Sequence, residues 1–322
     1  MADLGFGSVI GQWNGAWLMT RFGIVGGGLM GHGIAVALAR AGHDVAVYDV
    51  DPRTLATFHS RVGQALAQCG ITGAQAERIS AHVTTVPALN DVAREADVIV
   101  EAVPERLEAK HRVLAQLESA AAPATPIWTN TSVLSITRVA EGMVRPRRLA
   151  GVHWWNPPYL IPLVEVAPGA RTEQRVVDDA CELLTAMGKT IVRLRRDVPG
   201  FVGNRLQFAL LREALHLLDQ GVCDPATIDT VMRSSLGLRW ASVGPMENAD
   251  YIGLRLTRDI LRNLAPHLST DKEDFPSIDK LLGEGHQGRS SGTGLLTWPP
   301  GREAEVRQRL DEGIRRNLTT TP

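Results

Sequence analysis

The sequence predicts an α/β protein with a doubly wound, mainly parallel sheet, followed by a second, all-α C-terminal domain. Three observations carry that expectation. Short apolar runs alternate with amphipathic helical patterns from Arg21 to about Arg195, as parallel βαβ units require. A Gly-x-Gly-x-x-Gly segment separates the first apolar run from the first helix. After Asp197-Val198-Pro199-Gly200 the periodicity becomes helical throughout.

Taken in order, Phe22–Val25 reads as a short buried strand, Met30–Ala41 as a helix and Asp44–Tyr48 as a second strand. Asp97–Val100 and Pro126–Thr129 read as later strands of the same sheet, with Leu149–Val152, Leu163–Val166 and Thr190–Leu194 as further ones and a helix starting near Thr172. Beyond the junction, Phe201–Gln220 carries apolar residues at helical spacing. Asp224–Ser234 opens on an Asp cap followed by proline, and Gly244-Pro245 opens another helix. The Gly-, Ser- and charge-rich stretch Thr270–Gly294 reads as surface loop, before a last helix over Arg302–Arg316. The domains expected are therefore an N-terminal extension over residues 1–20, a nucleotide-binding domain over 21–198 and a helical domain over 199–322. The extension mixes Gly, Trp and Asn without periodicity and is given no function.

Composition excludes several classes of function. The 34 basic and 35 acidic residues leave a formal charge of −1 with no long run of either sign, so no nucleic-acid-binding surface is implied. No apolar run approaches the ~18 residues that cross a bilayer, and Met1–Leu18 lacks the basic start of a secretory signal, so no membrane partner is expected. The three cysteines, Cys69, Cys181 and Cys223, are widely spaced and form no CxxC pair, which supports neither a disulfide framework nor a metal site and fits a cytoplasmic location.

The glycine segment Gly26-Gly27-Gly28-Leu29-Met30-Gly31 stands where such a motif is informative, between a strand and a helix. Gly26 permits the tight turn, Gly28 lets the backbone approach a pyrophosphate, and Gly31 lets helix and strand pack closely, while the amides of Leu29 and Met30 at the helix N-terminus face an anion. Asp49, at the end of the second strand, is placed to accept hydrogen bonds from ribose hydroxyls and to repel a 2′-phosphate, which makes NAD the expected cofactor in a Rossmann-type domain. Arg53 lies close by and softens the discrimination against NADP.

His153 follows one predicted strand and Glu165 lies in the next, twelve positions apart. A histidine whose second nitrogen is held by a carboxylate has a fixed tautomer and a stabilised imidazolium, as a general base needs. Taken alone, a histidine beside aromatic residues in a strand is more often a satisfied core group. The segment His153-Trp154-Trp155-Asn156-Pro157-Pro158 followed by Leu163-Val164-Glu165 resembles the 3-hydroxyacyl-CoA dehydrogenase family. The resemblance extends to Glu101-Ala102-Val103-Pro104-Glu105, Lys110, Asn130-Thr131-Ser132, Pro199-Gly200-Phe201-Val202-Gly203-Asn204-Arg205 and Gly244-Pro245-Met246-Glu247. It implies an NAD-dependent dehydrogenase that turns a 3-hydroxyl into a 3-oxo group, with His153 as base and Glu165 as its orienter. It further implies that Ser132 and Asn204 hydrogen-bond the substrate oxygen and that Glu105, Lys110 and Asn130 line the nicotinamide end of the cofactor. Lys110 is one of only four lysines, and its basic neighbours Arg106 and Arg112 are arginines, which favours a role over the alternative of a solvated surface lysine. A homodimer through the helical domain is implied as well, with Phe201–Gln220 and Pro245–Leu261 as candidate faces.

Two departures bear on the substrate. Members acting on CoA thioesters carry a lysine-rich helical tail after the second strand, whereas Pro52–His82 holds Arg53, Arg61 and Arg78 and no lysine. Gly237-Leu238-Arg239-Trp240-Ala241 resembles the branch of carnitine dehydrogenase and of the gulonate dehydrogenase related to lambda-crystallin, which oxidises free hydroxy acids. Arg239 is then a candidate for binding a substrate carboxylate, against the alternative of a surface ion pair. Trp154 and Trp155 replace smaller aromatics and either narrow the acyl cleft or fill core volume, the second being the simpler reading. The expected substrate is a short 3-hydroxyacyl-CoA or a 3-hydroxycarboxylate; the alternatives are a free hydroxy acid or ring carboxylate without CoA, and a non-catalytic NAD-binding protein.

Overall fold

A computed structural model describes residues 19–320, so the expected N-terminal extension lies, apart from Met19 and Thr20, outside the described residues. Two compact units are present, one ending at Phe201 and one starting at Val202.

The first unit is built on eight strands: β1 (Arg21–Val25), β2 (Asp44–Tyr48), β3 (Val83–Thr85), β4 (Val98–Glu101), β5 (Ile127–Thr129), β6 (Leu149–Trp154), β7 (Leu163–Pro168) and β8 (Thr190–Arg193). Their order across the sheet is β3-β2-β1-β4-β5-β6-β7-β8, all neighbours being parallel except the antiparallel pair β6 and β7. Strands covered on both faces read as unbroken apolar runs, and Phe22–Val25 and Val98–Glu101 are buried along their whole length. Helices α1 (Leu29–Arg40), α2 (Pro52–Ala56), α3 (Phe58–Gln68), α4 (Gly73–Ser80), α5 (Leu89–Glu95), α6 (Leu107–Ala120), α7 (Ile136–Ala140) and α8 (Gln174–Ala186) accompany the sheet. Ile34, Leu38, Phe58, Leu66, Leu183 and Leu184 pack on one side of it. Val92, Leu114, Leu117, Ile136 and Val139 pack on the other, giving the Rossmann-type, doubly wound arrangement.

Strand β6 runs on to Trp154, two residues past its expected end, because β7 pairs with it antiparallel: Val152 faces Val166, His153 faces Glu165 and Trp154 faces Val164. His153 is therefore inside a strand and not after one. Strand β3 was not expected. Only three residues long and two of them threonine, it has no alternation to detect, and its pairing with β2 is what holds it.

The second unit is helical: α9 (Gly203–Asp219), α10 (Pro225–Val231), α11 (Gly237–Trp240), α12 (Pro245–Ile252), α13 (Leu254–Leu264), α14 (Pro276–Gly283) and α15 (Arg302–Thr320). Asp224 caps α10 by accepting the Thr227 amide at 2.7 Å. Between α10 and α11 the backbone widens into a π-helical turn, Met232–Leu236, closed by the Gly237 amide on the Met232 carbonyl. A Cβ at Gly237 would stand 2.9 Å from that carbonyl oxygen, so glycine permits the wide turn. Helix α14 lies in the stretch read as loop. Its N-terminus is held by the Asp219 carboxylate of α9, which accepts the Ser277 amide at 3.0 Å, a tertiary cap invisible to local pattern.

Candidate active site

At the end of β1 the chain turns through Gly26, whose φ of +103° suits glycine and whose added Cβ would lie 2.5 Å from the Ala102 carbonyl oxygen. Gly31 is tighter still, since a Cβ there would fall 1.8 Å from the Gly26 oxygen. Gly28 differs: it is exposed, and nothing stands within 4 Å of the position of its missing Cβ. Two glycines are thus required by packing, and the third keeps open the space in front of the α1 N-terminus. Gly28 caps α1 with no side-chain hydrogen bond, so the Leu29 and Met30 amides carry the positive end of the helix dipole toward that space. Asp49 follows β2 and accepts the Gly27 amide at 2.7 Å and the Asp51 amide at 2.8 Å. Its carboxylate is locked beside the loop, with lone pairs left to accept ribose hydroxyls. This cradle fits a dinucleotide.

Two of the three arginines that follow, Arg53 and Arg61, are occupied. Arg53 is exposed and chelated by Asp51 at 3.0 Å. Arg61 turns inward and donates to the Gly27 carbonyl at 2.8 Å, the Gly28 carbonyl at 3.3 Å and the Thr54 carbonyl at 2.9 Å, bracing the glycine loop from α3. That role was not foreseen, because a single arginine on an amphipathic helix gives no signal of the backbone it will meet.

On the far side of the sheet, the β6–β7 register sets His153 directly opposite Glu165, with both side chains buried and Nδ1 3.0 Å from Glu165 Oε2. Residues two apart on a strand share a face, and Gly151 lies under His153. A Cβ at Gly151 would be 2.4 Å from Ile136 and 3.1 Å from the ring of Phe201, so glycine here makes room for Phe201. Phe201, buried and with φ of +51°, stacks on the His153 imidazole with ring centroids 5.0 Å apart and 26° between planes. Asn130 is buried at the end of β5 and accepts the Trp154 amide at 3.0 Å, tying that strand end to the one bearing His153.

Ser132 lies in the loop between β5 and α7, where Glu105 Oε1 accepts the hydroxyl of Thr131 and the amides of Ser132 at 2.9 Å, Val133 at 3.0 Å and Leu134 at 3.3 Å. Burial alone would raise the Glu105 carboxyl, but the Thr131 hydroxyl, the two nearest amides and Lys110 hold it below the usual carboxylate range. Lys110 is not the solvated lysine that its helix position allows. It is buried, with Nζ 2.9 and 3.0 Å from the two oxygens of Glu101 and 3.4 Å from Glu105. Glu101, buried at the end of β4, also accepts the Thr129 hydroxyl at 2.6 Å and the Val103 amide at 2.8 Å. The other end of the Ser132 loop is held by Asp197, which accepts the Ser135 hydroxyl at 2.5 Å and the Ile136 and Thr137 amides at 3.1 and 2.8 Å. Thr131, Asp197 and Phe201 were missed as site residues because each acts through tertiary contacts.

In the helical unit, Asn204 falls in the first turn of α9 and Arg239 in α11, exposed, three residues after the π-helical turn. Breaks of this kind occur often at functional sites. Among the described residues no cluster of His, Cys, Asp or Glu could hold a metal ion.

Compared with known families, residues 21–198 match the NAD-binding domain of 3-hydroxyacyl-CoA dehydrogenase and residues 200–298 its C-terminal domain. Among curated relatives, 5-formyl-3-hydroxy-2-methylpyridine 4-carboxylate 5-dehydrogenase of Mesorhizobium japonicum is 33% identical over 286 residues, 88% of this chain and 92% of that one. L-carnitine dehydrogenase of Streptomyces griseus is 35% identical over 289 residues, 84% of each chain. A solved 5-formyl-3-hydroxy-2-methylpyridine 4-carboxylic acid 5-dehydrogenase, described as an NAD+ dependent dismutase, superposes with a TM-score of 0.87 at 30% identity, covering 95% of this chain and 100% of that one.

Proposed function

The chain belongs to the 3-hydroxyacyl-CoA dehydrogenase family as an NAD-dependent oxidoreductase, and from that premise we propose that it oxidises the hydroxyl carbon of a free hydroxycarboxylate. The observation that carries the chemistry is the cross-strand pair: Glu165 fixes the proton of His153 on Nδ1 and leaves the Nε2 lone pair to take the substrate hydroxyl proton. Glu165 then stabilises the imidazolium so formed. Bound NAD supplies the acceptor for the hydride that leaves the same carbon. Ser132, in the loop held by Glu105, and Asn204 are the hydrogen-bonding groups for the oxygen that becomes a carbonyl. Asp49 with Gly26, Gly28 and Gly31 holds the adenosine and pyrophosphate end, and Asn130 with Glu105 and Lys110 shapes the nicotinamide end.

The preference for a free acid rests on the cations. Arg53 is neutralised by Asp51 and Arg61 is spent on backbone carbonyls, which leaves the CoA phosphates few partners along Pro52–His82. Arg239, set off by the π-helical turn, offers a bidentate fork for a carboxylate. The names of two relatives, a pyridine carboxylate dehydrogenase and carnitine dehydrogenase, point the same way. The family description keeps a short 3-hydroxyacyl-CoA as the second reading.

The test is formation of NADH, followed by absorbance, with 3-hydroxybutyryl-CoA, 3-hydroxybutyrate, carnitine, gulonate and a hydroxylated pyridine carboxylate. A free acid is expected to react, and Arg239→Met is expected to raise its KM by roughly 10- to 100-fold, the value of a charged hydrogen-bonded pair, with a smaller change in kcat. Turnover of the thioester alone, with Arg239→Met unchanged, would reverse the assignment of substrate.

The helical unit also points to a homodimer. Among its described residues Leu215 is the only buried hydrophobic side chain, whereas Leu254, Leu256, Ile260, Leu261 and Leu264 of α13 are exposed. A helix that exposes so much apolar surface needs a partner, and a second copy of this chain supplies a matching face. Light scattering is expected to give twice the 34.9 kDa chain mass; a monomer at micromolar concentration would refute it. Cys69, Cys181 and Cys223 are free thiols, which fits a cytoplasmic enzyme, and no helix among the described residues is long and apolar enough to cross a membrane.

A further inference from the structure

Helix α3 carries Phe58 and Arg61 one turn apart, so the two side chains share a face. Phe58 is fully buried, and a Cβ on Gly27 would stand 3.2 Å from its ring, so the glycine loop rests directly on this phenylalanine. The Arg61 guanidinium crosses the same ring, 5.3 Å from its centroid, and ends among backbone carbonyls. Its Nη2 donates to the carbonyl of Gly27 at 2.8 Å and to that of Thr54 in α2 at 2.9 Å, while Nη1 donates to the Gly28 carbonyl at 3.3 Å. The Gly28 oxygen also opens the hydrogen-bond ladder of α1, accepting the His32 amide at 3.1 Å. Gly27 stands one residue earlier, and its carbonyl is held from α3.

We propose that Arg61 is a positioning residue for the cofactor: by holding the Gly27 and Gly28 carbonyls toward α3, it turns the amides of Gly28 and Leu29 toward the pyrophosphate of NAD. This rests on the assignment of the glycine loop as the dinucleotide cradle. A trans peptide is planar, with its C=O and the following N–H pointing in opposite directions. A clamp on the Gly27 carbonyl therefore fixes the direction of the Gly28 amide, and one on the Gly28 carbonyl fixes that of Leu29. The peptide between Gly27 and Gly28 has most need of a clamp, because neither of its residues has a Cβ to restrict φ and ψ. Orienting it from within the protein removes an ordering cost from binding. The planar guanidinium suits the task, since its two terminal nitrogens reach adjacent carbonyls at once. A guanidinium committed in this way is not the partner of a 2′-phosphate, so the brace serves NAD and NADP alike and leaves the choice between them to Asp49.

The test needs no substrate. Calorimetric titration of the wild type, Arg61→Met and Arg61→Lys with NAD, NADP and ADP-ribose, and with adenosine by competition, reads each part of the cradle separately. NAD and ADP-ribose are expected to bind Arg61→Met roughly tenfold more weakly, with the ratio of NAD to NADP affinity kept within about twofold. Adenosine carries no phosphate and is expected to compete as well in the variant as in the wild type. Arg61→Lys keeps the charge but replaces two nitrogens by one, so it is expected to bind NAD nearly as weakly as Arg61→Met. Full NAD affinity in either variant overturns the proposal, the lysine result by showing that charge without the fork suffices. A loss confined to NADP would make Arg61 a contact of the 2′-phosphate, and an equal loss for adenosine would make it a prop of the whole pocket; each overturns the proposal as well. A wild type that binds none of the dinucleotides would instead remove the cradle assignment on which it stands.

Discussion

His153→Ala is expected to lower kcat by roughly 10²- to 10⁴-fold, the range that a positioned general base supplies, while leaving the affinity for NAD within about twofold. Direction and size follow from the geometry. The imidazole is buried, held at 3.0 Å by Glu165 and stacked on Phe201, so its Nε2 is presented in one orientation and no solvent base can take that place at comparable effective concentration. The contacts proposed for the adenosine and pyrophosphate end lie elsewhere: Gly26, Gly28, Gly31 and Asp49 are at the ends of β1 and β2, whereas β6 is separated from β1 by β4 and β5. Loss of turnover with intact NAD binding, read by single-turnover NADH formation and by fluorescence titration of the cofactor, is the expected pair of results. A variant that retained more than a tenth of the wild-type kcat would show that another group accepts the proton.

How much of this was legible in the sequence depends on whether a residue acts locally or through the sheet. The glycine loop was readable because its demands are local: a φ that suits glycine at Gly26, a helix packed against Gly31 and an open place at Gly28 follow from six consecutive residues. The spacing of His153 and Glu165 suggested a pair, but their meeting depends on β6 and β7 being antiparallel in a sheet otherwise parallel, a register that the residues between them do not dictate. Alternation of apolar and helical patterns revealed seven of the eight strands and concealed β3, which is too short to have a pattern. Phe201 and Asp197 were hidden for another reason. They stand at the junction leading into the helical unit, where the sequence reads as a domain boundary and the start of a helix, yet Phe201 is buried under His153 and Asp197 caps the helix that follows the Ser132 loop. Lys110 was singled out by its rarity in a lysine-poor chain, and it is the structure that shows what it holds.

That burial gives the second large effect: Lys110→Met is expected to destabilise the fold by about 3–5 kcal/mol, the cost of leaving one member of a buried ion pair without its counter-charge. Lys110 and Glu101 are both essentially inaccessible to solvent, with the ammonium 2.9 and 3.0 Å from the two carboxylate oxygens. Methionine fills most of the volume of lysine, so little of the loss is cavity formation. Glu101 would keep the Thr129 hydroxyl and the Val103 amide, which hydrogen-bond the carboxylate without neutralising it. The double variant Lys110→Met with Glu101→Gln is therefore expected to recover part of the loss, since it removes both charges and leaves the amide oxygen able to accept from Thr129. A lysine whose main work was to touch bound nicotinamide would behave differently, raising the KM for NAD and leaving the unfolding midpoint of the free protein in place. Here the ammonium is engaged with Glu101 and Glu105 of its own chain, and Glu105 in turn gathers the amides of the Ser132 loop. Urea unfolding of the cofactor-free protein separates these roles. A midpoint for Lys110→Met equal to that of the wild type would show that the pair contributes nothing to stability, and an unchanged double variant would show that the single loss came from packing alone.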